Sequence, residues 1–307
     1  MNTELQSRIS KARESALKND FHYRELLDIA KDCITHNAKK ELLHQILDIA
    51  HLSNVSISIY KSKQIDIWFN YILEIIKLSN FNVGCLLKQR SKSYKNKIAF
   101  HVINKGHLLE ITYSTLWEKV IEVGKGIHSF NYQKEKPIIG LLTHNQLNGV
   151  LVDLACLSFG VKVIPIPLNV TAEHASYIID HSGISHLFIG GKNGEKIWNE
   201  IKETHTIIDI HLSESSDKNN YNMNWNGFLD ESDKVEDFDI NAHIDNINMN
   251  AVQTIMYTSG TTANPKGIVF DQVNIISKRF ARALALPELN SKDVFLAYLP
   301  LFHTFGR

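Results

Sequence analysis

Net charge is the first thing this sequence does without: 33 lysines and arginines are matched by 33 aspartates and glutamates in 307 residues. That balance gives no electrostatic case for a nucleic-acid or anionic-membrane partner. The basic stretch from Lys88 to Lys97 reads as a solvated helix face. Cysteine is scarce as well. Cys33, Cys85 and Cys156 are odd in number, far apart and set among apolar residues. They exclude a disulfide frame and suit reduced core thiols in a cytoplasmic protein. No apolar run is long enough to span a bilayer. The longest, Val150 to Leu168, is broken by Asp153, Gly160 and Lys162, and reads as buried helix, turn and strand. The polar N-terminus lacks the apolar core of a secretory signal. His174, His181 and His186 lie near one another, but no carboxylate or thiol completes a metal-ligand set, so no metal ligands are assigned. There is no internal repeat.

What is present falls into two textures, and the length suits two domains or subdomains. Residues 1–80 read as a helical extension. "YRELLDIAKDCI", "KELLHQILDIAHL" and "IDIWFNYILEIIKL" carry Leu and Ile at three- and four-residue spacing. This region holds no recognisable site and reads as a docking or capping module. From about residue 83 the pattern becomes α/β. "KIAFHVI" and "LLEITY" flank "NKGH" as a hairpin. Thr115 and Glu118 have capping-box spacing ahead of a helix. Strands "PIIGLLT", "VKVIPI" and "SHLFIGG" then alternate with helices, which predicts βαβ units and a parallel sheet. Gly160 and Gly183 fall where a helix must stop before the next strand. Residues 212–250 are rich in Asn and Asp and read mostly as surface connection, with Trp225, Phe228 and Leu229 able to dock it. A helix is expected from about Asp271, and a last strand over "DVFLAYLPLFHTFGR".

Between them stands "IMYTSGTTANPKGIVF", residues 255–270. Hydroxyls and glycines on a strand-to-loop turn suit a polyphosphate: backbone N–H groups converge on an anion, hydroxyls add hydrogen bonds and a lysine supplies countercharge. Gly260 and Lys266 have the spacing of a Walker A loop. However, Pro265 occupies that motif's second glycine position and Gly267 its magnesium-binding hydroxyl position, which rejects an ordinary P-loop NTPase.

The stretch instead resembles the signature of the adenylate-forming (AMP-binding) superfamily, Tyr-Thr-Ser-Gly-Thr-Thr-Gly-x-Pro-Lys-Gly, from Tyr257 to Gly267, with Ala263 for the usual glycine. "YLPLFHTFGR", Tyr298 to Arg307, is similar to the family's Leu-Pro-x-x-His-x-x-Gly segment, in a form most like that of long-chain fatty acyl-CoA synthetases. The resemblance covers residues 83–307 and implies an incomplete N-terminal domain of the adenylate-forming fold, with parallel-rich sheets flanked by helices. It implies ATP-dependent activation of a carboxylic acid, by this form a fatty acid, to an acyl-adenylate and then a coenzyme A thioester. It also implies that Thr258, Ser259, Gly260, Thr261, Thr262, Lys266 and Gly267 hold the phosphates, with Mg2+ bridging phosphate oxygens. His303, with Phe302 and Phe305, would border the acyl and adenylate groups. Alanine at 263 is expected to be tolerated. The family's later motifs, and a C-terminal domain carrying a catalytic lysine, would follow Arg307. The chain is therefore expected to be the front of a longer enzyme, inactive alone. The alternative is a non-catalytic nucleotide- or acyl-binding remnant. No transmembrane segment is expected, and peripheral contact with a membrane stays open.

Overall fold

The structure is a computed structural model that describes residues 2–18, 20–104, 106–130, 136–214, 221–258, 264–290, 292–300 and 303. It divides into two compact units, Met1–Val83 with Gln272–Phe295, and Gly84–Asp271 with Leu296–Arg307.

The first unit is helical. It begins with α1 (Asn2–Leu17), α2 (Tyr23–Thr35), α3 (Lys40–Ile49), α4 (Ser53–Lys61) and α5 (Ile65–Ser79). The spacing read from sequence puts Leu26, Ile29 and Cys33 of α2, Leu43 and Ile46 of α3, and Trp68, Ile72 and Ile76 of α5 on buried faces. All three cysteines of the chain are buried, and burial beside Asp32 pushes the Cys33 thiol up to about 11. The unit also takes in a helix from nearly two hundred residues downstream. Phe280, 1% exposed, lies against His51 at a ring separation of 4.6 Å and against Phe81 at 6.3 Å.

The second unit opens with α6 (Val83–Ser93) and an antiparallel hairpin, β1 (Ile98–Asn104) and β2 (His107–Thr112). The hairpin is as expected, but the next helix starts one turn early. α7 spans Tyr113–His128, and Thr112, not Thr115, is its N-cap, accepting from the Thr115 N–H at 3.2 Å. Thr112 already has the extended backbone a cap needs, so Thr115 falls inside the first turn. The basic stretch also departs from a fully solvated face: Lys92 and Lys95 are exposed, whereas Arg90 is buried and lies over the Tyr94 ring.

The βαβ pattern is found as read: β3 (Ile138–Thr143), α8 (Leu147–Phe159), β4 (Lys162–Pro165), α9 (Ala172–Ser182) and β5 (His186–Gly190). Gly160 and Gly183 end their helices at φ of +67° and +69°, a conformation that would strain any side chain with a Cβ. Then come α10 (Gly191–Ile201), β6 (Ile208–His211) and β7 (Met223–Asn224). The Asn/Asp-rich stretch folds further than expected, into α11 (Trp225–Asp233) and α12 (Ile240–Asp245). Its polar residues serve as caps: Asn224 Oδ1 accepts from Gly227 N–H, and Asp239 Oδ1 from Asn241 and Ala242 N–H. Trp225 and Phe228 dock α11 as anticipated, and Phe228 is fully buried. Strands β8 (Val252–Thr258) and β9 (Lys266–Asp271) follow, then α13 (Gln272–Ala285), the helix that packs into the first unit.

Among the described residues seven strands form one sheet in the order β7-β6-β5-β3-β4-β8-β9, parallel throughout except for β9, which runs antiparallel to β8 at the edge. Alternation along β5 divides its two faces. Leu187 and Ile189 join Ile178, Ile179, Ile197 and Trp198 of α9 and α10, while Phe188 meets Phe228 of α11 at 5.1 Å. The described part of the expected last strand, residues 292–300, is not a strand. It joins no ladder with a described strand, and Val294, Phe295, Leu296 and Tyr298 are exposed. Apolar β propensity alone does not make a strand without a ladder to join.

His186, at the start of β5, is buried and stacked on Phe130 at 4.1 Å. Its Nδ1 meets Ser185 Oγ at 2.9 Å, and its Nε2 has no partner among the described residues. Burial lowers its pKa from 6.5 to about 4. In the window between these values the unfolded chain takes up a proton that the folded chain refuses. Stability is therefore intact above pH 6.5 and falls as the pH drops toward 4. Urea unfolding across this range should show an added slope approaching one proton, about 1.4 kcal/mol per pH unit. His186→Phe should remove that slope; an unchanged slope in the variant would assign the pH dependence elsewhere.

Candidate functional site

Because β3, β4, β5 and β8 run parallel, their carboxyl ends share one edge of the sheet. They deliver there Thr143, Pro165, Gly190 and Thr258. β4 and β5 lie on opposite sides of β3, so the chain order reverses there. In open α/β sheets ligands bind in the crevice outside such a switch point.

The hydroxyl-rich loop joins β8 to β9 at this edge. Thr258 and Lys266 face each other across its mouth as register partners, and Thr258 Oγ1 lies 3.5 Å from the Lys266 carbonyl oxygen. Both residues are exposed. A lysine and a hydroxyl side by side on an open strand end offer countercharge and a donor to an anion. Of the residues assigned from sequence, Thr258, Lys266 and Gly267 are thus brought together. Ser259, Gly260, Thr261, Thr262 and Ala263 lie outside the described residues. Gly267 pairs with Tyr257, and a Cβ there would come within 2.8 Å of Ile255 Cγ2 and 3.4 Å of the Tyr257 ring. Packing of the hairpin is sufficient reason for this glycine.

Two supports of the site escaped the sequence reading. Tyr257, one residue before Thr258, is 5% exposed, and its hydroxyl meets His181 Nδ1 at 2.7 Å. The His181 ring stacks on Tyr177 of the same helix at 5.2 Å. Burial raises the Tyr257 pKa, which keeps the phenol protonated and able to donate. The cluster of three histidines is therefore dispersed in role. His181 braces the end of β8, His186 stacks on Phe130, and the His174 N–H caps onto Thr171 Oγ1. Among the described residues no group of His, Cys, Asp and Glu could hold a metal ion.

Asn145 is the second support. It sits just beyond β3, and its amide donates to the carbonyls of Ala297 at 3.0 Å and Leu299 at 2.8 Å. This brings the segment leading to His303 to the carboxyl edge of β3. His303 is exposed, with its N–H on the Pro300 carbonyl at 2.9 Å, while Phe302, Phe305 and Arg307 lie outside the described residues. A signal for Asn145 existed: a polar turn, His144 to Gln146, directly after a strand that is apolar up to its last residue, Thr143.

A family model described as AMP-binding enzyme matches residues 87–307. Long chain acyl-CoA synthetase 4 of Arabidopsis thaliana is 26% identical over 211 residues, covering 64% of this chain and 31% of that protein. Fatty acyl-CoA synthetase A of Dictyostelium discoideum is 30% identical over 177 residues, covering 55% and 26%. The chain thus spans about a third or less of the length of these curated relatives. Among solved structures, one described as a long-chain-fatty-acid CoA ligase from Rhodopseudomonas palustris CGA009 superposes with a TM-score of 0.59 at 16% identity, over 74% of this chain and 53% of its own. A red-emitting luciferase from Phrixothrix hirtus does so at 0.58 and 18% identity, over 73% and 43%. Likeness at these identities concerns the fold.

Proposed function

Since the chain belongs to the family of AMP-binding enzymes, we propose that it carries the phosphate-binding portion of an ATP-dependent acid–thiol ligase of the fatty acyl-CoA synthetase kind. The pairing of Thr258 with Lys266 across the loop mouth, at the carboxyl edge of a parallel sheet, is the observation that carries the reading. In the reaction a carboxylate oxygen bonds to the α-phosphorus of ATP as the bond to pyrophosphate breaks. The thiol of coenzyme A then takes the acyl carbon and AMP leaves. An anionic nucleophile must approach a polyanion, so neutralisation and positioning dominate catalysis. Lys266 supplies positive charge to the β- and γ-phosphates and Thr258 a hydroxyl. Ser259, Gly260, Thr261 and Thr262 complete the cradle, with Gly267 holding the hairpin close behind it. Mg2+ bound with the nucleotide would supply further countercharge to the polyphosphate beside Lys266. His303 borders the acyl and adenylate groups, placed through Asn145. A fatty acid is the substrate favoured by the names of the relatives. Three buried cysteines far apart in sequence suit a reducing cytoplasm, and no described helix is long and apolar enough to cross a membrane.

The test is MgATP binding by this chain, read as a rise in melting temperature with nucleotide concentration. Lys266→Ala should weaken binding about 100-fold, the loss of one charge-assisted contact worth about 2.7 kcal/mol. Equal binding by the variant would remove Lys266 from the phosphate site. Carboxylate-dependent exchange of pyrophosphate into ATP, screened with fatty, aryl and amino acids, then tests the substrate class.

A further inference from the structure

The strand that carries the hydroxyl-rich loop is held unevenly along its length. Its base is fastened to β4. Thr254 Oγ1 donates to the Val163 carbonyl at 2.6 Å, and the Gln253 amide donates to the Val161 carbonyl. Among the described residues β4 and β8 share a single register pair, Val163 with Thr254. The reason the ladder goes no further lies in β4. Successive N–H groups of a strand point to opposite neighbours. Ile166 N–H bonds the Leu141 carbonyl of β3 at 2.8 Å, so residue 165 is turned toward β8. That residue is proline and has no N–H to give. Thr258 therefore stands four residues past the last pair with β4, an overhang of roughly 13 Å at strand rise. On its other side is β9, the edge strand, with Ile268 and Val269 48% and 57% exposed.

Tyr257 ties this overhang back. Its ring joins the buried layer of Ile164, Ile178 and Ile179, and its hydroxyl donates to His181 Nδ1 at 2.7 Å. Stacking on Tyr177, one turn earlier in α9, orients the His181 ring. Ser182, the next residue, also lies near the phenol, but its own proton goes to the Ile178 carbonyl at 2.6 Å.

Resting on the reading of the loop as a phosphate site, we propose that His181 is a positioning residue for the nucleotide. By anchoring the Tyr257 hydroxyl it fixes where Thr258 and Lys266 face each other, and so sets the affinity for MgATP. His181 works through Tyr257 and needs no contact with phosphate. Charge-assisted hydrogen bonds are short, about 2.7–2.9 Å, so donors on an overhang free to rock about Thr254 meet their acceptors less often.

The experiment is titration calorimetry of MgATP with the 307-residue chain, beside melting curves taken without nucleotide. His181 is exposed, and Tyr257→Phe keeps its ring, so these variants leave the core filled. Tyr257→Phe and His181→Leu should each weaken binding about fivefold, the effect of one hydrogen bond. The double variant should also lose about fivefold, because the second change removes nothing more. His181→Asn, which restores an acceptor near the place of Nδ1, should bind within about twofold of the parent chain. A brace that serves stability alone would lower the melting temperature and leave the affinity unchanged, which overturns the proposal. Losses that multiply to about 25-fold in the double variant overturn it too, since the two residues would then act separately. So does an asparagine variant as weak as the leucine one, which would credit the Tyr177 stack and not the acceptor. If the parent chain binds no MgATP, the phosphate reading falls and this proposal with it. Binding that Lys266→Ala weakens and His181→Leu leaves intact overturns this proposal alone.

Discussion

Trp198→Ala is expected to lower the stability of the α/β unit by about 5 kcal/mol, the upper end of the range for removing a buried tryptophan. Two effects add. The ring is 2% exposed and fills the layer between α10 and the sheet, so its loss leaves a cavity as well as lost burial. Its Nε1–H also donates at 2.6 Å to Oδ2 of Asp209, a carboxylate only 5% exposed. The other oxygen is taken by the Asn222 N–H at 2.6 Å. Truncation therefore strands half of a buried carboxylate, which costs a further 1–3 kcal/mol or so. Trp198→Phe separates the contributions: it keeps most of the volume and should cost about 2 kcal/mol. Trp68 is the comparison. It is equally buried, but its Nε1 has no partner among the described residues. Trp68→Phe should stay within about 1 kcal/mol of the parent. Urea unfolding followed by circular dichroism gives all three values. A loss below about 2 kcal/mol for Trp198→Ala would mean that the layer collapses around the gap.

Gly194→Ala, one turn earlier in α10, should cost about 3 kcal/mol, against the direction that helix propensity predicts. Alanine in place of a helical glycine ordinarily stabilises by about 1 kcal/mol. Here a Cβ would come within 2.4 Å of the Leu142 carbonyl oxygen. That oxygen belongs to β3, the strand paired on both sides by β4 and β5, and cannot swing aside as a side chain could. The helix must lift off the sheet, and overpacking of this kind costs 1–3 kcal/mol or somewhat more. The sign of the measured change decides the matter: stabilisation would show that α10 has room to move.

These two residues also mark where sequence reading stopped. α8 and α9 were legible because apolar periodicity, a stop glycine and a following strand agree. α10 was not. It follows Gly190, opens on Gly191, carries another glycine at 194 and has few apolar residues, all signals of a loop. Its helix is set by Gly194 fitting against β3 and Trp198 reaching Asp209, neither of which is local. The same holds for α11, whose Asn-rich surroundings look like linker until Phe228 finds Gly126, where a Cβ would lie 2.6 Å from the ring.

The site divides in the same way. From residue order alone came the parallel βαβ core, the helical first segment, the hydroxyl-glycine loop with Lys266 at its end, and the resemblance to the AMP-binding family that the family model bears out. Each rests on neighbours within a few residues, where periodicity, chirality and turn chemistry act. Tertiary structure alone decided that Lys266 faces Thr258, that His181 braces Tyr257, that Asn145 holds the segment before His303, and that α13 packs with the N-terminal helices. The Asn145 bond to Leu299 joins residues 154 positions apart, and the contact of Phe280 with His51 spans more still. They depend on strand order and on which helix face meets which strand, and those are settled only when the whole sheet closes its ladder and buries both faces.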